Sequence, residues 1–308
     1  MAHVPLAVIG AGPAGLSCAI AARELGLDVT LIEALAPGGE MASLLEINGN
    51  LGSLDPVTGP DLAAVLLDRA MDAGVKIDYS EVAGLARSDQ GTWLIDGGRL
   101  EADAVVIATG SEADFAAVAG AQELYGSGVS ICASCDAPLF KNKAVIVLGD
   151  GRDAVYEADV LRQYASKVTA LGDWSGADGE FWRSTAPATD SIEFVQASGS
   201  FSVAKSSDGT AVDVAHRAGA PDVSADGVFL AVPRVPRRSL LEGLVDDPAA
   251  FRVDGELRVV GRDSSVRTLF AIGDMRAGTS RTVAGAIGDG ISVAWTVLRE
   301  LQVRAGAL

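Results

Sequence analysis

Two of the three cysteines in this 308-residue chain, Cys132 and Cys135, stand in a C-x-x-C within the stretch GVSICASCDAPLF, with Asp136 directly after them. Two thiols at that spacing suit either dithiol–disulfide exchange or metal binding. A zinc site takes about four ligands. The third cysteine, Cys18, and the two histidines, His3 and His216, are far away along the chain, so the pair reads as redox chemistry before metal. Cys18 reads as a small apolar core residue.

Such a pair needs elements to position it and something to exchange electrons with. The opening LAVIGAGPAGLSCAIAARELGLDVTLIEA supplies a strand over 6–9, the loop Gly10-x-Gly12-x-x-Gly15, a helix to residue 25, and a second strand over 29–32 that ends at Glu33. This is the dinucleotide fingerprint in its required context. Gly10 makes the tight turn and Gly12 lets backbone N–H groups approach a pyrophosphate. Gly15 lets helix and strand pack closely, and Glu33 can accept from a ribose. The helix N-terminus favours the anion.

A second unit of the same kind runs through AVIVLGDGRDAVYEADVLRQYASKVTALGDW. Its strand covers 144–148, its loop is Gly149-Asp150-Gly151-x-x-Ala154, its helix reaches about residue 164, and its next strand covers 168–171. A third marker lies near the end of the chain. An apolar strand over 269–272 runs into Gly273-Asp274, where a carboxylate can bind a ribityl hydroxyl or merely cap a turn, and a helix follows over 282–301.

Composition sets the outer bounds. The net charge is −17, from 24 Lys and Arg against 41 Asp and Glu, and a nucleic-acid partner is therefore not expected. No apolar run approaches the roughly 20 residues of a membrane helix, and the N-terminus has no basic segment ahead of an apolar one. The expectation is a cytoplasmic protein with no membrane partner.

Together these residues resemble the low-molecular-weight thioredoxin reductase family of flavoproteins. The order is that family's: Gly10, Gly12, Pro13, Ala14 and Gly15, then Gly38-Gly39, then Ala108-Thr109-Gly110, then Gly128-Val129-Ser130 with Cys132-Ala133-Ser134-Cys135-Asp136, then the second glycine loop, then Gly273-Asp274 with Arg281, Thr282 and Val283. The resemblance covers essentially the whole chain. It implies an α/β fold of two Rossmann-like dinucleotide-binding domains, the second inserted into the first. An FAD domain over 1–113 and 242–308 would hold FAD, with Glu33, Gly39, Glu40 and Asn48 among its contacts, and a nicotinamide-like domain over 114–241 would carry the pair. It implies a homodimer that passes two electrons from flavin to a Cys132–Cys135 disulfide and on to a thioredoxin-like protein. Cys135 would lie nearer the flavin, Cys132 would attack the partner, and Asp136 would handle protons, a role that can coexist with capping a helix.

Four departures bear on the electron donor. LGDWSGADG stands where a basic cluster would read the NADP 2′-phosphate, and Asp150 puts a carboxylate in the second loop. Pro233 stands where a glycine is usual near the nicotinamide, and proline removes a donor. No second helix is expected between Gly172 and the strand at SIEFVQA. Glu40, Asn48-Gly49 and Thr282 replace residues usual near the flavin. NADPH is therefore not the expected donor. NADH through Asp173, a ferredoxin or another donor stays open. Two further readings stand beside the reductase: a dithiol oxidase acting on a small molecule, and a flavin redox sensor that is not an enzyme. RVPRRS, over 234–239, is the one basic cluster, read as a domain-crossing linker or as a contact for an acidic donor.

Overall fold

The computed structural model describes residues 2–44, 47, 57–186, 191–216, 223–232, 234–261, 266–276, 279 and 281–306. The chain divides into two compact units, one formed by residues 1–112 and 236–308, the other by residues 113–235. The first contributes β1 (Ala2–Ile9), α1 (Pro13–Glu24), β2 (Val29–Glu33), α2 (Gly59–Asp72), β3 (Lys76–Tyr79), β4 (Leu85–Arg87), β5 (Trp93–Ile95) and β6 (Leu100–Ile107), and β7 (Ser111–Ala113) leads out of it. The second holds β8 (Val118–Ala119), α3 (Ala121–Leu124), β9 (Val129–Ser130), α4 (Ala133–Asp136), β10 (Ala144–Gly149), α5 (Gly151–Leu161), β11 (Lys167–Gly172), α6 (Gly176–Thr185), β12 (Ile192–Gln196), β13 (Phe201–Lys205), β14 (Val212–His216), β15 (Val223–Ala225) and β16 (Gly227–Ala231). β17 (Arg234–Pro236) leads back, and β18 (Leu269–Ala271) and α7 (Val283–Arg304) complete the first unit.

In the first unit the sheet order is β3-β2-β1-β6-β5-β4, with β18 also on β6. β1 pairs in parallel with β2 (Leu6↔Val29) and with β6 (Leu6↔Ala104), and β18 joins β6 in parallel (Leu269↔Val105). The strand end carrying Gly273-Asp274 is thus brought beside the first glycine loop, although more than 250 residues separate them in sequence. Leu6, Ala7, Val8 and Ile9 are all buried, as expected of a parallel strand covered on both faces. α1 is buried from Ala14 through Ala22 and packs on α7. The two helices meet through small residues: a Cβ on Gly290 would stand 2.3 Å from the Ala14 carbonyl oxygen and 2.8 Å from the Cys18 nitrogen. The opposite face of the sheet is filled by Trp93, Ile95, Leu240, Leu241, Phe251 and Met275. Trp93 Nε1–H donates to the buried Thr268 Oγ1 at 3.0 Å.

In the second unit the sheet order is β12-β11-β10-β16-β9, all parallel. A smaller sheet, β15-β14-β13-β8, lies within the same unit. Each unit is a Rossmann-like α/β domain, and the second is inserted into the first. One expectation fails. A helix, α6, does stand between Gly172 and β12. Its glycines, Gly176 and Gly179, hide it in sequence, but Gly179 is there for packing, since a Cβ would stand 2.5 Å from the Trp174 carbonyl carbon. Trp182 on this helix packs against the core of the second unit. α5 ends at Leu161, three residues short of the expected Tyr164.

Candidate active site

β9 is the edge strand of the second sheet and delivers the pair. Cys132 is the N-cap of α4, and Cys132 and Cys135 are joined in a disulfide with Cα atoms 5.4 Å apart. The turn is self-bonded: Cys135 N–H donates to Cys132 O and Sγ, both at 3.2 Å, and Asp136 N–H donates to Cys132 O at 3.1 Å. Cys135 is exposed and Cys132 half-buried. Ala133 and Ala137 are fully buried in the core beneath them, which holds the turn to the body of the domain. Asp136 does not swing freely. Its Oδ2 accepts from Ser130 Oγ at 2.7 Å, and the same Ser130 Oγ accepts from Cys132 N–H at 3.1 Å. Ser130 is buried and forms a bridge from the cysteine backbone to the carboxylate. In the sequence Ser130 stands out only as part of the Gly128-Val129-Ser130 motif. A hydroxyl on the last residue of a buried strand is the signal that could have marked it.

The first glycine loop has the geometry its residue types demand. Gly10 has φ +101°, and a Cβ there would stand 2.5 Å from the Ala108 carbonyl oxygen, while a Cβ on Gly15 would stand 1.8 Å from the Gly10 oxygen. Gly12 is the N-cap of α1 and Pro13 opens the helix; no side chain caps its first-turn donors, and the space above Gly12 is open. Glu33 accepts from Ala11 N–H at 2.7 Å and from Leu35 N–H at 2.8 Å, so its carboxylate is aimed along the loop. Gly38 N–H donates to Ala11 O at 2.7 Å, and a Cβ on Gly39 would be 3.2 Å from Gly12 Cα. Glu40 follows in an exposed turn of 3-10 helix. Asn48 and Pro233 lie outside the described residues.

The other half of this cradle comes from the distal segments. A Cβ on Gly273 would be 3.0 Å from Ala14 Cβ, so the Gly273-Asp274 turn abuts the start of α1. Asp274 accepts from Thr279 Oγ1 at 3.3 Å and lies 3.8 Å from Arg281 Nε. Thr282 caps α7 by accepting from Gly285 N–H at 3.1 Å, and Val283 is the helix's first residue. Thr109 Oγ1 lies 3.4 Å from Met275 Sδ, and Gly110 O accepts from Arg237 N–H at 3.2 Å. Arg237 also pairs with Glu112 at 3.4 Å. Two residues unmarked in sequence hold this turn. Asp289 accepts from Gly273 N–H at 3.0 Å and binds Arg276 in a two-toothed pair at 2.7 and 2.9 Å. That pair, with burial acting against it, holds the Arg276 guanidinium above its ordinary pKa. An uncapped helix start, open space over Gly12 and the Glu33 carboxylate at the end of β2 fit the pyrophosphate and ribose of FAD.

The second loop keeps the backbone form without the chemistry. A Cβ on Gly149 would stand 2.3 Å from the Ala231 oxygen, and one on Gly172 would stand 2.1 Å from the Gly149 oxygen. Asp150, however, is exposed at the N-cap of α5 with no side-chain cap bond. Asp173, the candidate ribose acid, accepts at one oxygen, Oδ1, from Ser175 N–H at 3.0 Å and from Gln196 Nε2 at 2.8 Å, with Ser175 Oγ at 2.5 Å. Those bonds, the Ser175 hydroxyl first, hold its carboxyl below the ordinary range. Trp174 is turned inward, its Nε1–H donating to Ala170 O at 3.0 Å and its ring edge-on to Phe194. Where a phosphate-reading cluster would stand, this segment is bonded to itself.

A dinucleotide-binding fold carrying a C-x-x-C in its inserted unit defines a disulfide oxidoreductase of the two-domain flavoprotein class. The chain belongs to the pyridine nucleotide-disulphide oxidoreductase family, whose model matches residues 4–290. It is 33% identical over 292 residues to a thioredoxin reductase of Listeria monocytogenes, covering 92% of this chain and 89% of the relative. Its structure is similar to Lactococcus lactis thioredoxin reductase, with TM-score 0.83 and 25% identity over 96% of this chain and 98% of that one. It is also similar to a ferredoxin-flavin thioredoxin reductase of Clostridium acetobutylicum, with TM-score 0.53 and 25% identity over 99% of each chain. Among the described residues no group of acids, histidines and cysteines is arranged to hold a metal, and no helix is long and apolar enough to cross a membrane.

Proposed function

We propose that this flavoprotein reduces the disulfide of a thioredoxin-like protein through Cys132 and Cys135, with electrons that do not come from NADPH. The observation that carries the reading is the Cys132–Cys135 disulfide with Asp136 tethered beside it by Ser130. Bound FAD, once reduced by the donor, would supply the two electrons. Gly10, Gly12, Pro13, Ala14, Gly15, Glu33, Gly39, Glu40, Thr109, Gly110, Gly273, Asp274, Arg281, Thr282 and Val283 would hold it in the first unit.

The residues of the second unit then do the exchange. Two electrons break the S–S bond, leaving a thiolate on one sulfur and, after one proton is taken up, a thiol on the other. Cys132, as thiolate, attacks one sulfur of the partner's disulfide and forms a mixed disulfide, and the partner's other sulfur leaves as a thiolate. Cys135 attacks Cys132 Sγ, re-forming the intramolecular bond and releasing the reduced partner. Asp136, next to the pair in sequence, takes and returns the proton these steps move. Ser130 keeps that carboxylate at the pair.

The self-bonded Asp173–Trp174 segment and the carboxylate of Asp150 support a donor other than a pyridine nucleotide, and a ferredoxin-type protein is the reading we prefer. We further take the protein to be a cytoplasmic homodimer, in keeping with the family resemblance. Ile291 and Trp295, exposed one turn apart on α7, offer an apolar strip to a second copy.

The test is anaerobic mixing of the flavin-loaded protein with NADPH, with NADH and with reduced ferredoxin while the flavin absorbance is followed. The expected outcome is no bleaching by either nucleotide, bleaching by ferredoxin, and two new thiols at Cys132 and Cys135. Fast bleaching by NADPH would overturn the donor assignment. A flavin that reduces without opening the disulfide would overturn the reductase itself.

A further inference from the structure

The turn that carries the pair has a second side-chain tether besides Ser130, and it comes from a different element. Glu157 stands at the end of the second turn of α5, the helix that opens on the second glycine loop. Its Oε2 accepts from Ala133 N–H at 2.5 Å. Ala133 directly follows Cys132, and its side chain is fully buried, so the amide that Glu157 holds belongs to the most firmly seated residue of the turn. We infer that Glu157 is a positioning residue of the redox pair, and that its carboxylate biases Cys132 and Cys135 toward the disulfide. The inference rests on the reading of the pair as redox-active.

Two physical effects act in the same direction. A thiolate on Cys132 needs nearby N–H donors. The amide of Ala133 is committed to Glu157, and Cys135 N–H, 3.2 Å from Cys132 Sγ, is a donor already bonded to that sulfur. Reduction also places negative charge on a sulfur within a turn that already holds the Asp136 and Glu157 carboxylates, and like charges at short range disfavour one another. The other charged and titratable groups of α5 are Arg152, Asp153, Tyr156 and Asp159. Arg152 and Asp153 pair at 3.2 Å, Asp159 pairs with Arg162 at 2.6 Å, and Tyr156 Oη lies 3.4 Å from Ser134 Oγ. After α4 come Lys141 and Lys143, the latter over the Phe140 ring. Of the groups on α5, Glu157 is the carboxylate bonded to the pair's own backbone.

Glu157→Gln keeps an acceptor oxygen and removes the charge, whereas Glu157→Asp keeps the charge at shorter reach. The full flavin-loaded protein and both variants are equilibrated in dithiothreitol redox buffers, and the dithiol fraction is read by alkylation and mass. The rate of iodoacetamide modification at Cys132 is read at neutral pH on protein reduced chemically. Glu157→Gln is expected to shift the equilibrium toward the dithiol and to speed Cys132 modification, each by about threefold to tenfold, as a change of up to one pKa unit at the attacking thiol requires. Glu157→Asp is expected to stay within about twofold of the parent. Equal behaviour of Glu157→Gln and the parent, or equal shifts in both variants, would overturn the inference. Turnover of a thioredoxin is measured separately on the parent protein. Its failure would remove the reductase reading and leave the Glu157 comparison intact.

Discussion

At the scale of single residues, the pair is a short device with supports on two sides. Asp136 is bonded to Ser130, and Ser130 to the Cys132 amide, so removing either carboxylate or hydroxyl breaks the same tether. Asp136→Asn is expected to lower thioredoxin turnover by about two orders of magnitude, the usual scale for a lost general acid–base group, while flavin reduction by dithionite is unchanged. Ser130→Ala is expected to cost less, about tenfold, because the carboxylate remains but is no longer held. A stopped-flow comparison of flavin reduction and partner reduction checks both. Cys18 is the contrast. It is fully buried, and burial pushes its thiol up to about 12. The folded state therefore keeps it neutral, and stability falls as pH rises from the unfolded value near 8.5 toward the folded one. A thiol count on reduced protein at pH 8 should give two reactive groups when native and three in denaturant. Three in the native state would place Cys18 on the surface.

At the scale of elements, the close approach of α1 and α7 is the joint that assembles the first cradle. α7 follows directly on Thr282 and carries Asp289, which holds Gly273; α1 begins just after its N-cap, Gly12. Gly290→Ala would drive a Cβ into the Ala14 carbonyl oxygen and the Cys18 amide, at 2.3 and 2.8 Å. The helices must then separate, and overpacking of this kind costs about 1–3 kcal/mol. The measurable outcome is lower denaturant resistance and weaker retention of flavin together. Loss of stability with full flavin retention would mean that the joint does not support the cofactor. The same scale explains the second loop. Gly149 of that loop is needed for the close approach to Ala231 of β16, a contact of the fold that does not depend on a bound nucleotide.

At the scale of the whole molecule, the net charge of −17 governs encounter. An acidic protein donor meets overall repulsion, which salt screens with a Debye length of about 10 Å at 0.1 M. Flavin reduction by such a donor is therefore expected to rise several-fold between about 20 and 200 mM salt. Arg237→Glu and Arg238→Glu together should slow it further at low salt, since they remove the one basic cluster. A rate that falls with salt would show that a local basic patch, not the net charge, steers the donor.

What could be read from the chain alone was whatever is written in neighbouring residues. Strand, glycine loop, helix and acid follow one another within about 25 residues, and each step has its own steric or electrostatic reason. The C-x-x-C-D segment is equally local. From these came the two Rossmann-like units and the redox reading of the pair, while the insertion came from the family resemblance they carry. Only the tertiary structure shows Ser130 joined to Asp136, Glu157 on the Ala133 amide, Asp289 on Gly273, and Trp174 turned inward with Asp173 bonded to its neighbours. α6 was hidden as well, because its glycines lower helix propensity and only its packing against the domain core repays them. These contacts join residues from separate elements, and their distances depend on how sheets and helices stack. No periodicity along the chain encodes that stacking, which is why the sequence names the chemistry and the fold decides how it is held.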